Sequence, residues 1–162
     1  MNEYLRLARL YMVVLAIFTV GRLATGFRGI PYERGHAIFS LVTMSFLACA
    51  FYGAFTRKWL GFSVTKVMGL GATIGLIGQI VILTMTVLSY ALHMDTYFVN
   101  PRALNATEPL SFGTALVGRI GGLVVNCVMC SISAAIGWVM GAVLPPPTKP
   151  LEGGAGRRRA LD

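Results

Sequence analysis

The chain has 162 residues, of which 56% are hydrophobic and only 12% are charged, and its mean hydropathy is +0.70. This composition excludes an ordinary soluble domain, in which about a quarter of the residues are charged. The formal net charge of +8 would indicate nucleic-acid binding only if the cations formed a folded basic surface with contacts to bases. No such surface is evident outside the apolar segments, so we predict a membrane protein that binds no nucleic acid.

The first apolar segment runs from about residue 7 to residue 26. Arg9 and Arg22 bracket an uncharged core that is about as long as the apolar part of a cleavable signal peptide. Arg22 stands where a small-residue cleavage site would be needed, and both arginines can extend toward the membrane interfaces. We therefore expect this segment to be retained as a spanning helix, with cleavage as the alternative.

The second and third apolar segments cover about residues 36–55 and 67–92. The third holds twenty-six consecutive residues without a formal charge, from Val67 to Leu92. As a helix it would be about 39 Å long, which exceeds the roughly 30 Å of hydrocarbon in a bilayer. The residues of these segments do not alternate strictly between apolar and polar, which favours helices over the strands of a membrane barrel.

The fourth apolar segment covers about residues 112–144, and Ser111 is the predicted N-cap of its helix. Prolines at 145–147 end it, so we predict a transmembrane domain over residues 1–144 and a disordered tail rich in Pro, Gly and Arg over 145–162. In this tail Arg157, Arg158 and Arg159 are predicted to contact anionic lipid, at about 1 kcal/mol for each cation near the surface.

These segments together predict an all-α integral membrane protein, a four-helix bundle with both termini on one side. The amino end, the second loop and the tail carry nine Lys and Arg residues, against five on the other face. Because cytoplasmic loops favour Lys and Arg, we expect both termini in the cytoplasm. The predicted location is the plasma membrane, as a bacterial cytoplasmic (inner) membrane protein.

Several glycines lie four residues apart, a spacing that lets a neighbouring helix backbone come close. We expect them to pack helices within this chain, with the seam of a homodimer as the alternative. The predicted packing pairs are Gly71 with Gly75, Gly118 with Gly122, and Gly137 with Gly141.

Two carboxamides, Gln79 and Asn126, fall in the apolar core. If the midpoint of each uncharged run marks the bilayer centre, Asn126 lies about 9 Å outward, level with Thr84 and Thr86. We predict that it forms a hydrogen bond to the third helix at that level. A structural role is favoured over a solute site, because such a bond contributes about 0.6 to 2 kcal/mol.

A group of cations is expected at the outer ends of the helices. The sharper hypothesis is an external vestibule in which guanidinium groups bind an anion or a partner, whereas the alternative that we favour is extension to the interface or pairing with Asp95 or Glu33. The connection from His93 to Leu110 is predicted to be a structured surface loop that binds a partner, with Tyr97 and Phe98 in the membrane interface. The candidate anion or partner residues are Arg22, Arg28, Arg34, Arg119, His36 and His93.

The sequence Cys127-Val-Met-Cys130 on the last helix of a small four-helix protein resembles the vitamin K epoxide reductase family and the bacterial disulfide-generating membrane oxidases. The resemblance implies a thiol oxidoreductase that uses Cys127 and Cys130. Those families also need a second cysteine pair in a loop, and the remaining cysteine is Cys49, in the second apolar segment. We therefore expect buried, unreactive cysteines.

The remaining motifs favour a protein without catalysis. The two histidines could hold haem only as a pair across helices, and an HExxH motif and a Walker loop are missing from the sequence. We predict no cofactor and no bound metal. The expected function is a noncatalytic accessory or scaffold component that binds a heterologous membrane protein or forms a homo-oligomer. The alternative is an oligomeric channel or transporter for a small solute or ion, lined by Gln79 and Asn126.

Overall fold

The computed structural model describes residues 3–143, and these residues form helices with no strand among them. Three helices are long and apolar enough to cross a membrane, namely those at Arg9–Phe27, Val64–Ala91 and Phe112–Val143. The coarser part of the predicted fold, an all-helical protein with candidate membrane spans, is therefore confirmed. In chain order the helices are α1 (Glu3–Leu7), α2 (Arg9–Phe27), α3 (Tyr32–Gly35), α4 (Leu41–Leu60), α5 (Val64–Ala91) and α6 (Phe112–Val143), with a 3-10 helix at Pro101–Leu104 before α6.

Residues 144–162 lie outside the described residues. The predicted tail, and with it the lipid contact assigned to Arg157, Arg158 and Arg159, therefore stays a prediction.

The predicted bounds of the second span are wrong. Helix α4 begins at Leu41 because the Ser40 side chain caps it, accepting a hydrogen bond from the Thr43 backbone N–H at 3.4 Å. Its end is set by Gly61, which adopts the left-handed conformation with φ 63°. The helix therefore includes Arg57 and Lys58 in its last turn, and α4 is not one of the three candidate spans.

The other predicted spans agree more closely with the helices. Backbone hydrogen bonds continue through Ala8, so α1 and α2 form an almost continuous rod. Helix α5 begins at Val64 rather than at Val67, because Ser63 caps it. The predicted N-cap of the fourth helix is confirmed, since Ser111 Oγ accepts a hydrogen bond from the Thr114 backbone N–H at 3.3 Å.

Helix α6 packs closely on α4, and glycines make the approach possible. A Cβ on Gly137 would lie 2.6 Å from the carbonyl carbon of Ala50, and one on Gly141 would lie 2.8 Å from the carbonyl oxygen of Ala54. In return Gly53 of α4 packs against the backbone of α6. The two helices therefore touch backbone to backbone, as expected where lipid gives no hydrophobic drive for association.

Glycines also bring α5 against α6. A Cβ on Gly71 would lie 2.6 Å from the carbonyl oxygen of Cys130, and one on Gly75 would lie 3.1 Å from that of Asn126. Four of the predicted packing glycines thus lie between helices of the same chain. A Cβ on Gly118 or Gly122 would instead meet only side-chain atoms, of Leu104 at 3.3 Å and of Gln79 at 3.2 Å.

Helix α2 is joined to α4 and α5 through Tyr11. Its hydroxyl lies 2.8 Å from Ser45 Oγ and donates to the carbonyl oxygen of Ile74 at 3.2 Å. The helices α2, α4, α5 and α6 alternate in direction, so residues 28–40 and 92–111 lie together at one end of the molecule. We call this the loop end.

Candidate functional site

The connection between α5 and α6 turns back into the protein at the loop end. Ser89 Oγ lies 2.8 Å from Thr96 Oγ1, which fixes the returning segment against α5. Thr96, Tyr97 and Phe98 are 2%, 4% and 2% exposed. The prediction that Tyr97 and Phe98 are interfacial anchors of a surface loop is therefore wrong, and these aromatic side chains are part of the interior.

Tyr97 locks the returning segment onto the connection between α2 and α4. Its hydroxyl donates to the carbonyl oxygen of Ile30 at 2.6 Å, and its ring meets that of Tyr32 edge to face at a centroid distance of 5.4 Å. Gly26 and Gly35 leave the space it needs, because a Cβ at either position would press on the segment. The segment is thus held by α2, α3 and α5 together.

Arg119 reaches the returning segment from α6. Its Nη2 donates to the carbonyl oxygen of Phe98 at 2.7 Å, which also accepts from Thr86 Oγ1 at 3.4 Å. Helix side chains lean toward the N-terminus of their helix, so Arg119 extends toward the loop end. Its Nε is buried without a hydrogen-bond partner within the described residues.

Arg22 approaches the same place from α2. Its Nη1 donates to the carbonyl oxygen of His36 at 3.2 Å. Its guanidinium carbon lies 5.4 Å from the ring centroid of Tyr97 and 6.0 Å from that of Phe98, within the range of cation–π attraction. Arg22 and Arg119 both approach Phe98, the first at its ring and the second at its carbonyl oxygen. Two guanidinium groups are thus held near each other.

Both arginines line one cavity of about 250 Å³, which we call the arginine cavity. The capped N-terminus of α4 contributes Ser40 and Thr43 to its wall, and such a helix end favours negative charge. Among residues 3–143, no acidic residue lines the arginine cavity, whose lining consists of Arg22, Tyr32, His36, Ser40, Leu41, Val42, Thr43, Ile82, Tyr97, Phe98, Ala103 and Arg119.

The acids that were expected to neutralise these arginines are placed elsewhere. Glu33 forms an ion pair with Arg102, and both side chains are more than half exposed. Asp95 is exposed and does not line the arginine cavity. Among residues 3–143, Arg22 and Arg119 therefore contact backbone carbonyls and aromatic rings rather than carboxylates.

The structure brings together three of the six residues predicted for the anion or partner site. Arg22, His36 and Arg119 line the arginine cavity, whereas Arg28 and Arg34 are exposed outside it. His93 is also exposed, in the left-handed conformation with φ 51° just after α5.

Tyr32 and Thr43 were not among the predicted site residues, and Tyr97 and Phe98 were predicted to lie in the membrane interface. No local signal marks Tyr32. The cap that positions Thr43, however, could have been found from the Ser40-x-x-Thr43 spacing.

A second cavity of about 320 Å³ adjoins the first, and we call it the carboxamide cavity. Val42, Ile82, Ala103 and Arg119 line both cavities. The carboxamide cavity is also lined by Phe46, Gln79, Leu104, Asn105, Gly118, Gly122, Val125, Asn126 and Met129.

The two carboxamides bond to backbone carbonyls. Gln79 Nε2 donates to the carbonyl oxygen of Arg119 at 3.3 Å, and Asn126 Nδ2 donates to that of Gly75 at 3.1 Å. Asn126 therefore binds the predicted helix, but the predicted level beside Thr84 and Thr86 is wrong. Asn126 is 6% exposed, and its Oδ1 has no hydrogen-bond partner in the described part of the chain.

The arrangement of the cysteines differs from the one that the resemblance to a CxxC oxidoreductase implies. Cys49 of α4 and Cys130 of α6 are fully buried in the same apolar cluster, and both adjoin Gly71 of α5. Cys127 is partly exposed. Cys130 therefore shares its buried surroundings with a cysteine that the CxxC motif does not contain. No cluster of three or more metal-ligating His, Cys, Asp or Glu residues occurs within residues 3–143.

A membrane-permeant oxidant such as copper phenanthroline is expected to join Cys49 to Cys130. The burial of both residues beside Gly71 is the reason, and Cys127→Ser should leave this product unchanged whereas Cys49→Ser should abolish it. Mass spectrometry of peptides from the intact, oxidised protein identifies the bond. Recovery of a Cys127–Cys130 disulfide as the main product would contradict the packing of α4 on α6.

Comparison with protein-family models, with curated proteins and with solved structures finds no match for this chain. The class of protein rests on the fold alone, which is all helical in the described residues with three helices able to span a membrane.

Proposed function

We propose that this chain is a noncatalytic multi-pass membrane protein that binds an anionic group at its loop end and acts as an accessory component of a membrane complex. One observation supports the anion site: Arg22 and Arg119 converge on a cavity that no acid lines in the part of the chain that the structure describes. The surplus of cations in the amino end, the second loop and the tail supports a loop end that faces away from the cytoplasm.

The electrostatics of the arginine cavity support an anion as its ligand. Burial strengthens a charge interaction, because the field is not screened as it is in water. Two guanidinium groups without carboxylate partners gain from any anion that enters between them, and each can donate in the forked geometry that suits carboxylate or phosphate. The N-terminus of α4 adds backbone dipoles of the same sign.

The oligomeric channel has less support than the accessory role. Gln79 and Asn126, the side chains that would line a shared pore, are only 5% and 6% exposed in the single chain. Both use their amide N–H groups on backbone carbonyls of their own chain. A pore lined by these residues would have to break contacts that already exist.

The anion site is tested by the thermal stability of the purified full chain in mild detergent, with increasing sulfate or inorganic phosphate. The wild type is expected to gain stability as the anion concentration rises. The double variant Arg22→Gln with Arg119→Gln should lose that gain, whereas Arg28→Gln removes an exposed cation at the same end and should keep it. Equal responses from all three proteins would overturn the anion site.

The accessory role is tested by native mass measurement of the same purified protein, with identification of whatever accompanies it. A heterologous membrane protein in fixed ratio supports the proposal. A closed homo-oligomer with nothing attached would replace it with the channel, and flux measurements would then follow.

A further inference from the structure

We infer that the anion is carried by a membrane amphiphile, whose anionic head group lies at Arg119 and whose apolar part lies in the carboxamide cavity. This inference rests on the proposed anion site and specifies the chemical class of its ligand. The shared recognition chemistry is a phosphate or similar oxyanion, which either a lipid or a soluble anion can supply.

The first support is the position of Arg119. It lines both cavities, so an anion that it binds lies at the boundary between them. Its Nη2 is engaged by the carbonyl of Phe98, but its buried Nε has no partner within residues 3–143. A buried N–H without a partner is costly, and an oxyanion of the ligand would satisfy it.

The second support is the side on which the carboxamide cavity opens. Val42, Val125 and Met129 line it and are 39%, 63% and 45% exposed in the single chain. In a membrane-spanning protein such apolar side chains face hydrocarbon, so this cavity is reached from the lipid. A fully soluble anion would not need this second, apolar compartment.

The third support is Asn126. It is 6% exposed, lines the carboxamide cavity and has an Oδ1 without a partner in the described residues. A buried acceptor without a partner favours a ligand with a donor, such as a hydroxyl group. The cavity therefore suits an amphiphile with polar groups near its head rather than a bare hydrocarbon chain.

The sizes of the cavities limit how much of the ligand is enclosed. At about 250 Å³ and 320 Å³ they fall at or just below the lower end of the range for small-molecule sites. They can enclose a head group and the first part of one chain, and the remainder of the amphiphile would lie along the protein in the bilayer.

Two glycines on α6 provide a matched pair of variants. Gly118 lines the carboxamide cavity, whereas a Cβ on Gly121 would meet no atom within 4 Å. Gly118→Leu should fill the cavity, and Gly121→Leu should add the same side chain on a free face of the same helix. Lipid binding to each intact protein is measured by native mass spectrometry with phosphatidylglycerol and with phosphatidylcholine, and inorganic phosphate is titrated separately.

The expected result is one phosphatidylglycerol bound at least tenfold more tightly than phosphatidylcholine. Gly118→Leu and Arg119→Gln should each weaken the binding of phosphatidylglycerol tenfold, which corresponds to about 1.4 kcal/mol. Gly121→Leu should leave this binding unchanged. If Gly118→Leu does not fold, Met129→Trp obstructs the lipid-facing side of the cavity, and Met140→Trp is its control because Met140 lies elsewhere on α6.

The other outcomes separate the inference from the proposed function. Phosphate binding that depends on Arg22 and Arg119, together with lipid binding that ignores Gly118→Leu, would overturn the amphiphile and leave the anion site in place. If both lipids bind equally and no variant changes their binding, they are annular lipids only, and the inference of a bound amphiphile is also overturned. Binding of neither phosphate nor phosphatidylglycerol would overturn both.

Discussion

Gly137→Ala is expected to lower the free energy of unfolding by about 1 to 3 kcal/mol or more, the usual cost of overpacking. The added Cβ would lie 2.6 Å and 2.7 Å from the carbonyl carbon and Cα of Ala50. These are backbone atoms of α4, which cannot turn aside as a flexible side chain could. The two helices would have to separate, so the midpoint of thermal unfolding in mild detergent should fall.

Gly121→Ala is the control, because it adds the same methyl group on the same helix. No atom lies within 4 Å of a Cβ at this position. Alanine is favoured over glycine inside a helix by about 1 kcal/mol, so this variant should be as stable as the wild type or more so. If Gly137→Ala and Gly121→Ala behave alike, the backbone contact between α4 and α6 does not exist in solution.

The helices could largely be predicted from the sequence, because their signals are local. Apolar runs predicted the approximate positions of the helices, and Ser111 was predicted as the N-cap of α6. The structure shows this cap as a hydrogen bond from the Thr114 backbone N–H to Ser111 Oγ. The bounds of α4 were not predicted correctly, because hydrophobicity alone does not indicate the turn that precedes this helix. Phe39 adopts a left-handed conformation with φ 52°, and Ser40 then caps the helix.

The glycine spacing predicted close packing but not the partner helix. A small-xxx-small pair defines one face of a helix, and only tertiary structure determines what faces it. Gly137 and Gly141 face α4, whereas Gly71 and Gly75 face α6. Gly53 was missed, although Ala50 and Ala54 beside it form the same kind of spacing.

The candidate site could be predicted only in part, because its residues are far apart in sequence. Arg22, His36 and Arg119 meet through the return of residues 96–98 into the protein, which no local pattern encodes. Tyr97 and Phe98 have the composition of an interfacial aromatic belt, so the sequence could not distinguish that role from a buried one.

The predicted depth of Asn126 in the membrane was wrong for a related reason. The prediction equated the midpoints of two uncharged runs, which holds only if both helices are centred alike in the membrane. Helix α6 has 32 residues and α5 has 28, and their contacts place Asn126 beside Gly75 rather than beside Thr86. Interhelical contacts, and not segment midpoints, determine which residues are level.

Phe98→Ala is expected to lower the free energy of unfolding by about 3 to 5 kcal/mol, as for a large buried aromatic side chain. Phe98 is 2% exposed and belongs to the main apolar core, although it lies in a connection rather than in a helix. Its backbone carbonyl, which binds Arg119 and Thr86, is kept in this variant. The loss therefore measures the packing of the ring, and it should appear as a lower midpoint of thermal unfolding in mild detergent.

Phe27→Ala makes the same truncation at the loop end on a side chain that is 60% exposed. Its effect should stay within about 0.5 kcal/mol, because little protein packing is lost. A large difference between the two variants means that the connection between α5 and α6 is part of the folded core and holds the carbonyl that Arg119 binds. Equal, small effects would mean that residues 96–98 lie at the surface, and the arginine cavity would then lose the wall that brings its two cations together.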